Sequence, residues 1–158
     1  MKILVDGDSC PRRIRDIIVR TAQKQKLETV FVANRPLDLP ESPDIRLIPV
    51  STEKGAADIY ICANAGHEDL VITRDIPLAR KLLEQEVTVI NDRGTVFSME
   101  NIKERLSERN YMYELRTAGL VPRSKAGFGD RETRAFAAAF QKSLHSLISL
   151  RNGGIMDP

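Results

Sequence analysis

The chain has 158 residues, 42% of them hydrophobic and 29% charged, with a formal net charge of +2 and a pI near 8.6. That length suits one domain burying on the order of 70% of its unfolded surface; the charge is compatible with a nucleic-acid partner but falls short of the strongly basic signature that argues for one. Two unpatterned cysteines, Cys10 and Cys62, exclude a disulfide framework or zinc site, and only two histidines, His67 and His145, exclude a His-rich metal cluster.

The elements alternate in a βα rhythm. Residues 2–5 predict a short strand, and Pro11 suits the first turn of a helix running toward residue 26, with Ile14, Ile17, Ile18 and Thr21 inward. A strand over 29–33 is followed by a loop, marked by Asn34-Arg35-Pro36 and Pro40-Glu41-Ser42-Pro43. Residues 45–50 read as a strand weakened by Pro49, and 56–65 as a helix between Gly55 and Gly66. Residues 70–73 predict the central strand. A helix over 76–84, a strand over 87–90 and a candidate extra strand over 95–97 complete the alternation. Beyond residue 98 the pattern turns helical. A long charged helix over 100–118 places Ile102, Leu106 and Tyr113 along one face, and Gly119 ends it. A polar stretch over 121–129 leads to a last helix, with Asp130 as its N-cap and a packing stripe of Phe136, Phe140, Leu144, Leu147 and Ile148. The expectation is one α/β domain over 1–150, with a disordered tail over 151–158. No long apolar stretch predicts a signal peptide or a membrane span, so a cytoplasmic protein is the default.

Three of the apolar runs end in aspartate at the same relative place: I-L-V-D-G-D (Asp6, Asp8), L-V-I-T-R-D (Asp75) and V-T-V-I-N-D (Asp92). Such runs, each followed by a helical pattern, read as buried parallel strands. Ligands of an open parallel sheet bind in the crevice outside the strands' carboxyl ends. Acids repeated at that edge converge, and packed carboxylates are resolved by a hard cation, Mg²⁺ or Mn²⁺. Asp58, within G-A-A-D-I-Y-I, adds a helical acid preceded by small residues. Each acid also has a plainer reading. Asp6 and Asp8 can build a turn or cap the Pro11 helix, Asp75 can cap the helix after it, Asp92 can form a turn, and Asp58 can face solvent. Taken jointly, the four positions favour a site.

These residues carry a resemblance. L-V-D-G-D-S-C-P, K-G-A-A-D-I-Y-I, L-V-I-T-R-D-I-P-L-A and V-I-N-D-R-G, in that order, and the later R-S-K-A-G-F-G-D-R-E-T-R-A-F, resemble the bacterial YaiI/YqxD family, which is grouped with the PIN-like, flap-nuclease-related fold. The resemblance implies a three-layer α/β/α sandwich around a mostly parallel sheet. It also implies a Mg²⁺- or Mn²⁺-dependent nucleic-acid-cleaving site, RNA ahead of DNA, with Asp6, Asp58, Asp75 and Asp92 in the acidic positions. It leaves room for a homodimer. In the segment from Arg123 to Phe128 the chain departs from the family's Gly/Pro-richer pattern, which puts the role of that loop in question.

Such acids support in-line phosphodiester hydrolysis with one or two cations roughly 4 Å apart. Asp6 and Asp75 are the expected direct ligands; Asp58 and Asp92 would serve a second ion or act through water. Asp8 would coordinate through water or orient Ser9. Ser9, Arg12, Arg74, Arg93 and Lys54 adjoin the acids in sequence and are candidates to meet substrate phosphates, as are Arg123 and Lys125 on the polar loop; solvated surface charge is the plain alternative for each. Cys10 lies at a helix start, where a thiol's pKa can fall, but no Arg stands six positions later, and a structural or metal-adjacent role is preferred. No P-loop or dinucleotide motif is present. Two rivals remain. Asp6-Gly7-Asp8 with Thr73 imitates a haloacid-dehalogenase-like phosphatase, and a PIN-like module can bind nucleic acid or nucleotide without cleaving it.

Overall fold

The computed structural model describes residues 1–120 and 128–156. Five short apolar runs form one all-parallel sheet: β1 (Lys2–Asp6), β2 (Glu28–Ala33), β3 (Ile45–Pro49), β4 (Leu70–Ile72) and β5 (Thr88–Ile90), in the order β3-β2-β1-β4-β5. The helices are α1 (Arg12–Gln25), α2 (Ala56–Asn64), α3 (Ile76–Glu84), α4 (Met99–Thr117) and α5 (Asp130–Met156).

Alternation along the strands sorts the core into two slabs. Leu4 lies opposite Val30 and Val71, and Val71 opposite Val89. These side chains face Ile61 of α2, Leu78 and Leu82 of α3 and Ile102 of α4. Ile3, Val5, Phe31, Leu70, Ile72 and Ile90 point to the other side, where α1 brings Ile14 and Ile18 and α5 brings Phe136, Phe140 and Leu144. The result is a three-layer α/β/α sandwich. Its strands are apolar on both faces because helices cover both. The stacked rings of Phe136 and Phe140, 5.2 Å apart, anchor α5, each contributing about 1.5–3 kcal/mol by burial.

Connectivity positions the site. The chain winds outward from β1 to β2 and β3, then crosses back to β4 and β5 on the other side of β1. The topological switch point, where such sheets bind ligands, therefore lies between the carboxyl ends of β1 and β4.

Several expectations need correction. Residues 95–97 make only an isolated antiparallel bridge, Ile90 to Val96, since Phe97 turns into the core and the chain caps α4 at once. There Ser98 and Asn101 bond each other's backbone N–H in a reciprocal capping box. Pro11 is the cap residue of α1, one position before the helix proper. On α4 only Ile102 is buried, and Tyr113 is 67% exposed; the predicted apolar face finds a partner only in the helix's first turns. The last helix continues to Met156, although a disordered tail was expected from 151. Gly153 and Gly154 raise a helix's cost by about 1 kcal/mol each without removing a hydrogen bond, as proline would. Most of the polar stretch, including Arg123 and Lys125, lies outside the described residues. Among the described residues no helix is long and apolar enough to cross a membrane.

Candidate active site

Asp6 ends β1 at the switch point and is 9% exposed. It makes no capping bond to the short 3-10 turn that follows it, so the plain capping reading fails for this residue. Gly7 lets the turn sit tightly: a Cβ there would stand 2.9 Å from Leu37 Cδ1 and 3.1 Å from the Val32 carbonyl oxygen. Asp6 is instead held by Thr73, just past β4. The Thr73 hydroxyl donates to Asp6 Oδ2 at 3.0 Å and accepts the Asp75 backbone N–H at 3.0 Å. A buried relay thus joins the ends of the two central strands. Ser9 lies beside it, its hydroxyl 3.5 Å from the Asp6 carbonyl oxygen.

Burial pushes the Asp6 carboxyl above its ordinary pKa. The Thr73 and Ser9 hydrogen bonds oppose that rise, and the charges of Asp75 and Asp8 add to it. Asp58, in the first turn of α2, is likewise raised, by burial first and then by the charges of Asp75 and Asp6, with Lys81 opposing. Asp6, Asp58 and Asp75 therefore stand in one another's fields. The three acids come from a strand end, a helix start and a second strand end, and each of Asp6 and Asp58 feels the charge of Asp75.

Asp75 also does the plainer job expected of it, accepting the Leu78 N–H at 3.0 Å as N-cap of α3. The two roles separate by mutation. Asp75→Ala should destabilise the fold by about 1 kcal/mol through the lost cap, whereas Asp75→Asn keeps a capping oxygen and should unfold close to wild type. Urea denaturation of the two variants beside wild type measures the difference.

The remaining predicted residues diverge. Asp8 is turned toward the loop after β2: its Oδ2 accepts the Asn34 N–H at 2.9 Å and its Oδ1 stands 3.6 Å from Arg35 Nε. It braces that loop and adds its field to Asp6. Asp92 is buried after β5 and ion-paired with Arg74, one strand further along than the other acids. Arg12 is exposed and 4.0 Å from Asp38. Arg93 lies over the Phe128 ring, 5.9 Å from its centroid. Lys54 is exposed in the turn before α2. Burial, reinforced by the Asp92 charge, pushes the Cys10 thiol up to about 12, against the lowered pKa that an activated thiol needs. That outcome fits the structural reading made from the sequence.

The donor set decides what the site can hold. Among the described residues no group of three or more His, Cys, Asp and Glu side chains is placed to hold a metal ion, so no closed cage is present. Mg²⁺ rarely needs one, since it keeps several waters and binds through one or two carboxylates plus substrate phosphates. Asp6 and Asp58, both pushed up chiefly by burial, offer the carboxylate oxygens that such an open mode uses.

A family model described as an uncharacterized BCR, YaiI/YqxD family, matches residues 4–146. The chain belongs to the YaiI/YqxD family. Its relatives include UPF0178 proteins of Treponema pallidum (43% identical over 150 residues, 95% of this chain and 85% of the relative) and Treponema denticola (43% over 152 residues, 96% and 97%). A UPF0178 protein of Myxococcus xanthus is 43% identical over 148 residues, 94% of this chain and 97% of the relative. No solved structure matches the chain. The match covers β1 through most of α5, so all four sequence-predicted acids fall within the family's region.

Four residues around these acids were hard to place by sequence. Thr73 was legible as a strand-end hydroxyl, although its bond to Asp6 was not. Arg15 has a buried Nε with no hydrogen-bond partner among the described residues, and its charge acts on Cys10; a helical arginine one turn past Pro11 carries no signal of that. Asn34 and Arg35, which hold Asp8, were read as loop residues only.

Proposed function

We propose that this protein is a divalent-cation-dependent nuclease, with Mg²⁺ or Mn²⁺ as the cation and single-stranded RNA ahead of DNA as substrate. One observation carries the reading: Asp6, buried at the carboxyl end of β1, is joined through the Thr73 hydroxyl to the Asp75 backbone, and its carboxyl is pushed up by burial and by the charges of Asp75 and Asp8. A fold retains such a costly arrangement where the charge does work. Asp6 and Asp75 would hold the cation, with Asp58 reaching it directly or through water. When bound, the cation supplies a hydroxide at neutral pH and stabilises the leaving oxygen. Thr73 fixes the Asp6 carboxylate by donating to one of its oxygens. Arg12, with an exposed guanidinium, and Arg74, with a half-exposed one, are the candidates to meet a phosphate backbone.

The phosphatase reading finds support in Thr73 beside Asp6, but it needs Asp8 as a free acid, and Asp8 is engaged by Asn34 and Arg35. The binding-module reading differs in outcome rather than geometry. Labelled single-stranded RNA and DNA incubated with Mn²⁺ or Mg²⁺ should be cleaved, and EDTA or Asp75→Asn should stop the cleavage. Undiminished cleavage in EDTA, or no cleavage by a protein that still binds RNA, would overturn the nuclease reading.

A further inference from the structure

The outer face of α2 is apolar where a surface helix is ordinarily polar. The helix reads A-A-D-I-Y-I-C-A-N, a predominantly apolar composition that marks a buried helix. Ile61 is fully buried, yet Ile59 is 73% exposed. Ile59 does not stand on a flat surface. A cavity of about 690 Å³ lies between α2 and α3, and a second of about 480 Å³ lies between α2 and the segment after β3. Ile59 and Ala63, one turn apart, line both cavities and so form the wall between them. Each volume lies in the range of a small-ligand site. Each cavity also carries one lysine, Lys81 in the first and Lys54 in the second. Neutral hydrogen-bonding side chains accompany them: Gln85 in the first, Ser51 and Asn64 in the second. Of the acids, Glu84 is paired with Arg80 at 3.6 Å, and Glu53 is exposed in the turn before α2. Asp58 lines the first cavity and feels the charges of Asp75 and Asp6, with Lys81 opposing them. The first cavity therefore adjoins the candidate site.

We propose that α2 is a saddle for single-stranded nucleic acid, with two successive bases lodged in the cavities on either side of Ile59. The inference deepens the nuclease reading above and rests on it for the class of substrate. A base is flat and largely apolar and its phosphate is anionic, so a lysine beside an apolar wall suits a nucleotide. A protein partner is a poorer match, since Lys, Glu and Asp are depleted in protein interfaces. Apolar side chains inserted between base steps unstack them, and Ile59 stands where such a wedge would act. Tyr60 lines the second cavity and offers a ring for stacking. Only a strand whose bases are free to splay can straddle the ridge; a duplex keeps them paired.

Fluorescence anisotropy with labelled single-stranded RNA in EDTA reads binding without cleavage. The Mn²⁺ cleavage assay and sedimentation velocity run alongside, on the full chain and on Ile59→Ala, Lys81→Gln and Lys54→Gln. All three side chains are exposed, so each variant should keep the wild-type Tm. Ile59→Ala should weaken binding about tenfold with no change in its salt dependence. Lys81→Gln and Lys54→Gln should each reduce the slope of log affinity against log salt by about 0.7. In the cleavage assay the three should raise KM more than they lower kcat. Wild-type RNA affinity in all three variants, while the wild type cleaves, would overturn the saddle alone. A dimer that Ile59→Ala breaks, with RNA affinity unchanged, would also overturn it and give this face to a second copy. Binding weakened as expected, with no cleavage by the wild type, would support the saddle and overturn the nuclease reading. No RNA binding by the wild type, in EDTA or with Mn²⁺, would overturn both.

Discussion

Asp6→Asn should abolish cleavage and, in the same protein, raise stability. The two effects have one cause. Asp6 is buried and its charged form is disfavoured, first by desolvation and then by the charges of Asp75 and Asp8. Its pKa is therefore higher in the folded chain than in the unfolded one. Between those two values the folded state binds more protons, so stability falls as pH rises through that window, and above it the full cost is present. Asparagine removes the charge, keeps an oxygen to accept from Thr73, and has no pKa to shift. At pH 7 its Tm should exceed that of wild type, by roughly 2–4 °C for each kcal/mol recovered in a domain of this size. Well below the ordinary aspartate pKa, where the wild-type carboxyl is protonated in both states, the two curves should converge. Cleavage should fall by about 10³-fold or more, since removing a preorganised electrostatic group from a reacting centre costs on that order. Differential scanning calorimetry across pH, beside the RNA-cleavage assay, reads both. A structural aspartate behaves otherwise: Asp69 bonds the Lys2 and Gly66 backbone N–H groups and the Lys2 ammonium, and loss of its charge would only destabilise.

Gly94→Ala should be the most damaging small change near the site. Gly94 has φ +86°, and a Cβ there would stand 2.4 Å from the Ala135 carbonyl oxygen and 3.0 Å from the Phe136 nitrogen, both backbone atoms of α5. A helix backbone cannot move aside as a side-chain tip can. The left-handed backbone costs an L-residue about 1–2 kcal/mol, and overpacking adds about 1–3 kcal/mol. The sum corresponds to a Tm loss of roughly 10 °C, measurable by circular dichroism. Because Asp92 and Arg93 share the turn with Gly94, the shift should also loosen the Arg74–Asp92 pair.

The layers were legible because burial leaves a one-dimensional trace. Runs such as I-L-V and L-V-I show no alternation, which marks strands covered on both faces, and the acids that end them lie at one edge of any parallel sheet. The stripe on α5 was equally readable, since Phe136, Phe140 and Leu144 recur at helical spacing and all are buried. What stayed hidden depends on neighbours distant in sequence. Asp8 and Asp92 have the same local signature as Asp6, yet Asn34 engages one and Arg74 the other. Only the pairing of β1 with β2, and of β4 with β5, brings those partners within reach. Tyr113 was misjudged for a related reason. Periodicity shows that a helix has an apolar side but not how much of its length finds something to lie against.

The position of β1 has a consequence for how the protein comes into being. The central strand is the earliest element, and one of its flanks waits for Leu70–Ile72 to arrive. The slab over its other face is completed by Phe136 and Phe140, near the far end. Contacts so distant in sequence form late and slowly. A nascent chain therefore carries Asp6 long before it has Thr73, Asp75 or the helix that seals them. Until then the carboxyl is an ordinary hydrated acid without the field of its neighbours. A molecule truncated within α5 would carry every one of these acids but lack part of the packing that completes the slab over β1.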